Sequence, residues 1–190
     1  DDRRVVVIED TRELRLRKGD RPQNCVYFHT RRKLLEGGID VDMRSLILTA
    51  LRQRPDHLVL GEARGAEIYD LLNAMQTGHG GNLTSIHANS LADLGQRVNA
   101  MLYQAGVDMS AQRSARLIGT SFHIGVTLLQ DFDGRRYVAE IGEFTGGVDG
   151  FLPQMDLVFR GGRDAGYQLE RQAGQSVHEH LLQRIGLSFD

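Results

Sequence analysis

Two short apolar runs, Val5-Val6-Val7-Ile8 and Leu58-Val59-Leu60, end in acids, Glu9-Asp10 directly after the first and Glu62 one glycine after the second, in the stretches "VVVIEDTREL" and "RPDHLVLGEARG". A run of consecutive apolar residues too short for a helix has no polar side to turn to water. It reads as a strand buried on both faces, the kind found in parallel sheets. Such strands need covering layers, and the segments between them can supply these. Met43, Leu46, Ile47, Ala50 and Leu51 recur at helical spacing, predicting an amphipathic helix over 42–53 that Pro55 stops. Ile68, Leu71, Leu72 and Met75 predict another over 66–76. Cys25 to His29 and Leu83 to Ile86 read as further short strands. Ser90-x-x-Asp93 is a capping box for a helix carrying Leu91, Leu94, Val98 and Leu102, and one more helix follows over 110–119. Alternation of strand and helix predicts an α/β fold: a mostly parallel sheet with helices on both faces.

The pattern then changes. Phe122 to Gln130 and Arg135 to Phe144 are strands joined through "DFDG", a hairpin signal. Beyond Thr145 glycines multiply, and 153–171 reads as short strands and turns. Ser176-x-x-Glu179 is read as the cap of a final helix with Leu181, Leu182 and Ile185. The expected division is a main domain over 1–150 and a C-terminal extension over 151–190.

At 190 residues, 41% hydrophobic and with a formal charge of −2, the chain has the composition of a globular domain. Near-neutral charge, 6% aromatic content and no basic patch argue against sequence-specific nucleic-acid binding. One cysteine, Cys25, excludes an intrachain disulfide. No stretch approaches the roughly 18 apolar residues of a membrane span, and the charged start Asp1-Asp2-Arg3-Arg4 does not read as a signal peptide. The expected location is cytoplasmic, with any membrane contact peripheral.

In parallel α/β sheets, ligands bind beyond the carboxyl ends of the strands. Acids placed there can hold Mg²⁺ through water or polarise an attacking water. The competing reading is that a strand-end acid caps the next helix or loop; two such strand ends in one domain favour function. The third candidate stretch is "TGHGGNLTSIHAN", Thr77 to Asn89, in which His79 and His87 flank a short strand. Four extended residues separate them by about 13 Å, too far to share one metal without a bend. Contacts to different groups, such as a phosphate and a neighbouring loop, are the functional reading; a histidine bonded to backbone is the structural one. Gly78, Gly80 and Gly81 are read as a mobile loop that lets a ligand approach. "HEH" at 178–180 reads as a solvated helix face, since i and i+2 diverge. There is no nucleophile elbow, and Cys25 has no catalytic signature.

Taken in order, "IEDTREL", "LVLGEARG" and "TGHGGNLTSIHAN" resemble the Asp box, Walker B segment and His box of the type II/IV secretion ATPase superfamily, the motors of type IV secretion, conjugation, type II secretion and type IV or Tad-type pilus assembly. "LRQRPDHLVLGEARG" is similar to the branch with the Tad/Flp pilus and conjugation motors. The likeness runs from residue 3 to about 150. It implies a RecA-like P-loop NTPase core, ATP and Mg²⁺ as cofactors, a homo-hexamer and an inner-membrane platform protein as partner. Carried over by position, Glu9 is the Asp-box acid that orients or activates water, with Asp10 in support. Glu62 is the Walker B acid, acting on Mg²⁺ through water and on the nucleophile. His79 and His87 link phosphate status to loop position; Arg52, Arg54 and Arg64 match arginines of the family pattern, one of which reaches phosphate or braces a subunit interface. Gly80 departs from the pattern, since many relatives have an acidic or other side chain there.

The larger departure is that G-x-x-x-x-G-K-[ST] occurs nowhere in the chain. Neither Lys18 nor Lys33 stands in the context of a loop lysine. The resemblance therefore implies the C-terminal part of a motor domain, without its first strand and P-loop helix, and with one sheet edge uncovered. The expected activity of these residues alone is weak ATP binding and negligible turnover. The alternative is a non-catalytic paralogue acting as an assembly subunit.

Overall fold

A computed structural model describes residues 3–14, 24–32, 38–78, 81–172, 174 and 176–184. The chain divides into two compact units, Asp1–His87 with Met101–Val107, and Ala88–Ala100 with Asp108–Asp190.

The first unit is built on a parallel four-stranded sheet in the order β2-β1-β3-β4: β1 (Val5–Glu9), β2 (Cys25–His29), β3 (His57–Leu60) and β4 (Leu83–Thr84). Val6, Val7 and Ile8 are all buried, as are Leu58, Val59 and Leu60. Since alternate residues of a strand face opposite ways, both faces of the sheet are covered there. Helix α1 (Met43–Leu51) lies over β1 and β2 and buries Leu46, Ile47 and Ala50. Asp42 caps it, accepting the Ser45 amide at 2.8 Å. Helix α2 (Glu67–Gln76) packs beside α1, and Arg44 Nε meets Asp70 Oδ2 at 2.5 Å between them. Ala66 offers α2 no side-chain cap; Glu67 reaches back instead to the amides of Arg64 and Gly65, at 2.6 and 2.8 Å.

The strands end flush. Glu9 is in register with His29, and Ile8 with Leu60. One residue further on, the Gly61 amide donates to the Ile8 carbonyl at 2.8 Å and the Thr30 amide to the Glu9 carbonyl at 3.1 Å. This register brings three strand ends, Glu9-Asp10, His29-Thr30 and Gly61-Glu62, to one edge.

The strand expected over Leu83–Ile86 is shorter than its sequence suggests. From Ser85 onward its bonds go to the loop after β3: the Ala63 amide donates to the Ser85 carbonyl at 2.9 Å, and Ser85 Oγ to the Gly61 carbonyl at 2.7 Å. Gly81, read from sequence as room for a ligand, is fitted to a side chain. Its φ is +77°, and a Cβ there would lie 2.6 Å from His57 Nδ1.

The second unit contains helices α3 (Leu91–Gln104, whose last residues count with the first unit), α4 (Ala111–Ser121) and α5 (Glu179–Arg184). Its antiparallel sheet has the order β5-β6-β7-β8, from β5 (Ile124–Gln130), β6 (Arg136–Asp149), β7 (Leu152–Gly161) and β8 (Leu169–Arg171). The "DFDG" hairpin forms as expected: Asp131 Oδ1 accepts the Asp133 and Arg135 amides, and Gly134 takes φ +81°. Strands β6 and β7 are longer than predicted and pair across a turn at Gly150. Residue 150 therefore lies inside a hairpin, and the division between compact units comes earlier, near residue 87. Ile141, Val158 and Phe159 form a core cluster with Leu182 of α5.

Two readings of the C-terminal segment change. Ser176 does not cap α5. Its hydroxyl donates to Glu143 at 2.9 Å, and the Val177 and His178 amides donate to the same carboxylate, both at 2.8 Å. Glu143 is 0% exposed, and a buried carboxylate needs such donors more than an exposed helix start needs a cap. Nor is His178 a solvated residue: its Nε2 bonds the Phe144 carbonyl at 3.0 Å and its ring packs edge-on against His123. Ile185 lies outside the described residues. Among the described residues no helix is long and apolar enough to cross a membrane.

Candidate functional site

A cleft of about 870 Å³ opens at the carboxyl edge of the parallel sheet, lined by residues following β1, β2, β3 and β4 and by the start of α1. Glu9, Asp10, Glu62 and Arg64 all line it. The two strand-end acid motifs, 53 positions apart in sequence, therefore share one space because β1 and β3 are register neighbours.

Glu9 is 3% exposed. Its Oε1 accepts the amides of Glu13 and Leu14 at 3.0 and 2.8 Å, while Oε2 is buried with no hydrogen-bond partner. One oxygen is thus fixed by backbone and the other carries no hydrogen bond. Gly61 makes room for this side chain: a Cβ at 61 would come within 3.0 Å of Glu9 Cγ. Asp10 accepts a hydrogen bond from the Thr30 hydroxyl, which ties the end of β1 to the end of β2.

Glu62 forms the other half. Arg64 Nη2 is 2.6 Å from its Oε2, and His87 Nε2 is 3.3 Å from its Oε1. The Arg64 hydrogen bond holds the Glu62 carboxyl below its ordinary pKa; burial opposes this, and the Arg64 charge and His87 support it. Glu62 is therefore ionised at neutral pH. The His87 side chain is 88% exposed, so it is no buried structural histidine.

Other expected residues lie elsewhere. Arg52 is the C-cap of α1, and Arg54, with φ +52°, precedes β3. Both are at the amino end of β3, across the length of the sheet from Glu62, and neither lines the cleft. His79 lies outside the described residues. The structure adds three residues that sequence reading passed over: Arg32 and Thr30 in the cleft just past β2, and Ser85, which bonds the Gly61 carbonyl. The rule that picked out Glu9 and Glu62, position just beyond a strand end, points equally to Thr30 and Arg32.

Seven lining side chains are carboxylic acids and two, Arg32 and Arg64, are guanidinium groups. The field favours a cation and opposes a bare polyphosphate. Among the described residues no three His, Cys, Asp or Glu side chains converge as a metal cage. This donor set suits Mg²⁺ held by one carboxylate, waters and a ligand's own phosphates rather than by protein alone.

A parallel α/β sheet with paired acids over a cleft at its carboxyl edge is the architecture of ligand-binding α/β proteins. Residues 1–124 match the family described as type II/IV secretion system protein, and the chain belongs to that family. A Mycobacterium tuberculosis (strain H37Rv) protein named for conjugal transfer is 38% identical over 140 residues, 74% of this chain and 38% of the relative. Conjugal transfer protein TrbB of Rhizobium radiobacter is 32% identical over 135 residues, 71% of this chain and 37% of the relative. Among solved structures, the VirB11 ATPase from the Brucella suis type IV secretion system, in complex with sulphate, aligns with a TM-score of 0.61 and 29% identity, over 73% of this chain and 39% of that one. The Legionella pneumophila ATPase DotB shares the fold, with a TM-score of 0.54 at 22% identity over 74% of this chain and 36% of its own. The chain thus spans under two fifths of the length of each of these relatives.

Proposed function

We propose that this chain is the catalytic-acid half of an ATP-hydrolysing motor of bacterial secretion, conjugation or Tad/Flp pilus assembly, with a RecA-like core. The observation that carries this is the meeting of Glu9 and Glu62 in one cleft beyond neighbouring parallel strands. Glu62, held ionised, would hold Mg²⁺ through water. Glu9, with one carboxylate oxygen fixed and one free, orients and deprotonates the attacking water. Asp10 steadies the end of β1 through Thr30. His87, on the surface beside Glu62, reads the state of that carboxylate and passes it to the loop after β4, with His79 as its counterpart. Arg64, which pairs with Glu62 and lines the same cleft, would be the side chain placed to meet phosphate there. Arg52 and Arg54, far from the cleft in their own subunit, serve the site of a neighbouring subunit in a homo-hexamer.

The parent motor works in the cytoplasm, peripheral to the inner membrane, against a platform protein there. ATP would be its fuel, and Mg²⁺ would supply the positive charge that phosphate needs in an acidic cleft. A G-x-x-x-x-G-K-[ST] segment, which these 190 residues do not contain, supplies the amide cradle, the lysine and a Mg²⁺ ligand.

The test is magnesium-dependent ATP hydrolysis by these residues alone, by a version with a P-loop segment joined ahead of Asp1, and by that version with Glu62→Gln. Activity that needs the segment and falls with Glu62→Gln supports the reading. Micromolar ATP affinity of the isolated chain, or an active Glu62→Gln variant, contradicts it. Inactivity in every version favours a non-catalytic assembly subunit.

A further inference from the structure

Two buried polar atoms at the carboxyl edge of the sheet lack a hydrogen bond: Glu9 Oε2 and His29 Nε2. Their residues are register partners on adjacent strands, so both side chains leave the same face of the sheet. The loop after β1 folds over that face. The Glu13 and Leu14 amides hold Glu9 Oε1, and the Arg12 guanidinium lies 5.3 Å over the ring of Tyr27, two residues before His29. Buried polar groups are rarely left unmet, and each exception calls for an explanation. These two are chemically complementary: an ionised carboxylate oxygen only accepts, whereas an imidazole nitrogen can donate.

We propose that His29 is a positioning residue for Glu9. In its Nε2–H tautomer, it donates to a water that in turn donates to Oε2, since the two atoms share no direct hydrogen bond. With Oε1 fixed by two amides, that bond locks both carboxylate oxygens and leaves one lone pair of Oε2 to take the proton of the attacking water. The proposal rests on Glu9 being the water-activating acid. It adds a residue that no strand-end acid motif marks.

The contact is tested in this chain by nitrogen-15 spectra of its labelled histidines, with the His29 signals identified by their loss in His29→Gln. Glu9→Gln is expected to shift the His29 ring nitrogens while Glu62→Gln leaves them in place; unmoved His29 signals in Glu9→Gln would overturn the proposal. The role is tested by ATP turnover in the version carrying a P-loop segment. His29→Ala is expected to lower kcat about tenfold to a hundredfold with KM for ATP changed less than about twofold. His29→Gln, whose amide N–H reaches the place of Nε2, should restore most of the rate. Unchanged kcat in His29→Ala, or a Gln variant as slow as Ala, would also overturn it. An inactive wild type sinks the ATPase reading alone, since the spectra still decide the contact.

Discussion

Gly61 and Glu9 are fitted to each other: a Cβ on Gly61 would lie 3.0 Å from Glu9 Cγ and 3.5 Å from its Oε1. The glycine between Leu60 and Glu62 is thus a space requirement of the opposite motif. Gly61→Ala is expected to displace the Glu9 side chain and cost about 1–3 kcal/mol of stability, as overpacking does. Denaturant unfolding measures the cost. Loss of the bonds from the Glu13 and Leu14 amides to Glu9, read as faster amide exchange at those two residues, locates it; unchanged exchange there would mean that the neighbours absorb the methyl group.

The pairing of Glu62 with Arg64 predicts a titration. Its folded-state pKa is depressed, so its contribution to stability is fully present above the ordinary glutamate pKa of about 4.3 and is lost as pH falls through the lower folded value. Arg64→Ala should move the Glu62 midpoint up towards the ordinary value, as read by carboxyl carbon-13 shifts. A midpoint that does not move would show that Arg64 is not its main partner.

The Glu143 carboxylate gathers three donors from the C-terminal segment. Glu143→Ala strands all three and is expected to destabilise the second unit by about 2–4 kcal/mol. The amides of Val177 and His178 should lose hydrogen-exchange protection before those of β6 and β7. Simultaneous loss across the unit would show that the segment and the sheet open as one.

Gly81→Ala meets two obstacles, a φ of +77° and a Cβ 2.6 Å from His57 Nδ1. The expected cost is about 1–3 kcal/mol. His57→Ala should recover the steric part of that cost and leave the backbone part, a split that a double-mutant cycle in thermal unfolding measures. Full additivity of the two substitutions would remove His57 as the reason for the glycine.

Much of the first unit was legible because its information is local. Runs such as Val5–Ile8 and Leu58–Leu60 can bury both faces only as interior strands, and the helical spacing of Leu46, Ile47 and Ala50 predicts α1 within a residue or two at each end. Strand-end position also pointed to Glu9 and Glu62. What sequence could not carry was pairing at a distance. Ser85 leaves β4 because Gly61 and Ala63 compete for its bonds, and Ser176 leaves its helix because Glu143, 33 positions away, is buried and short of donors. Arg52 and Arg54 follow a family pattern that says nothing of which end of the sheet they occupy; α1 runs away from the cleft and carries them to the far end.

In the proposed function, the acidic cleft beyond β1 and β3 holds a metal-bound nucleotide. Paramagnetic broadening by Mn²⁺–ATP tests it most directly, because the effect falls steeply with distance and registers weak binding. Amides of Asp10, Gly61, Glu62 and Ser85 are expected to broaden first, and those of Arg52 and Arg54, across the sheet, to stay sharp. Measured on the monomeric chain, broadening centred on Arg52 and Arg54, or none in the cleft at millimolar Mn²⁺–ATP, would exclude nucleotide from it.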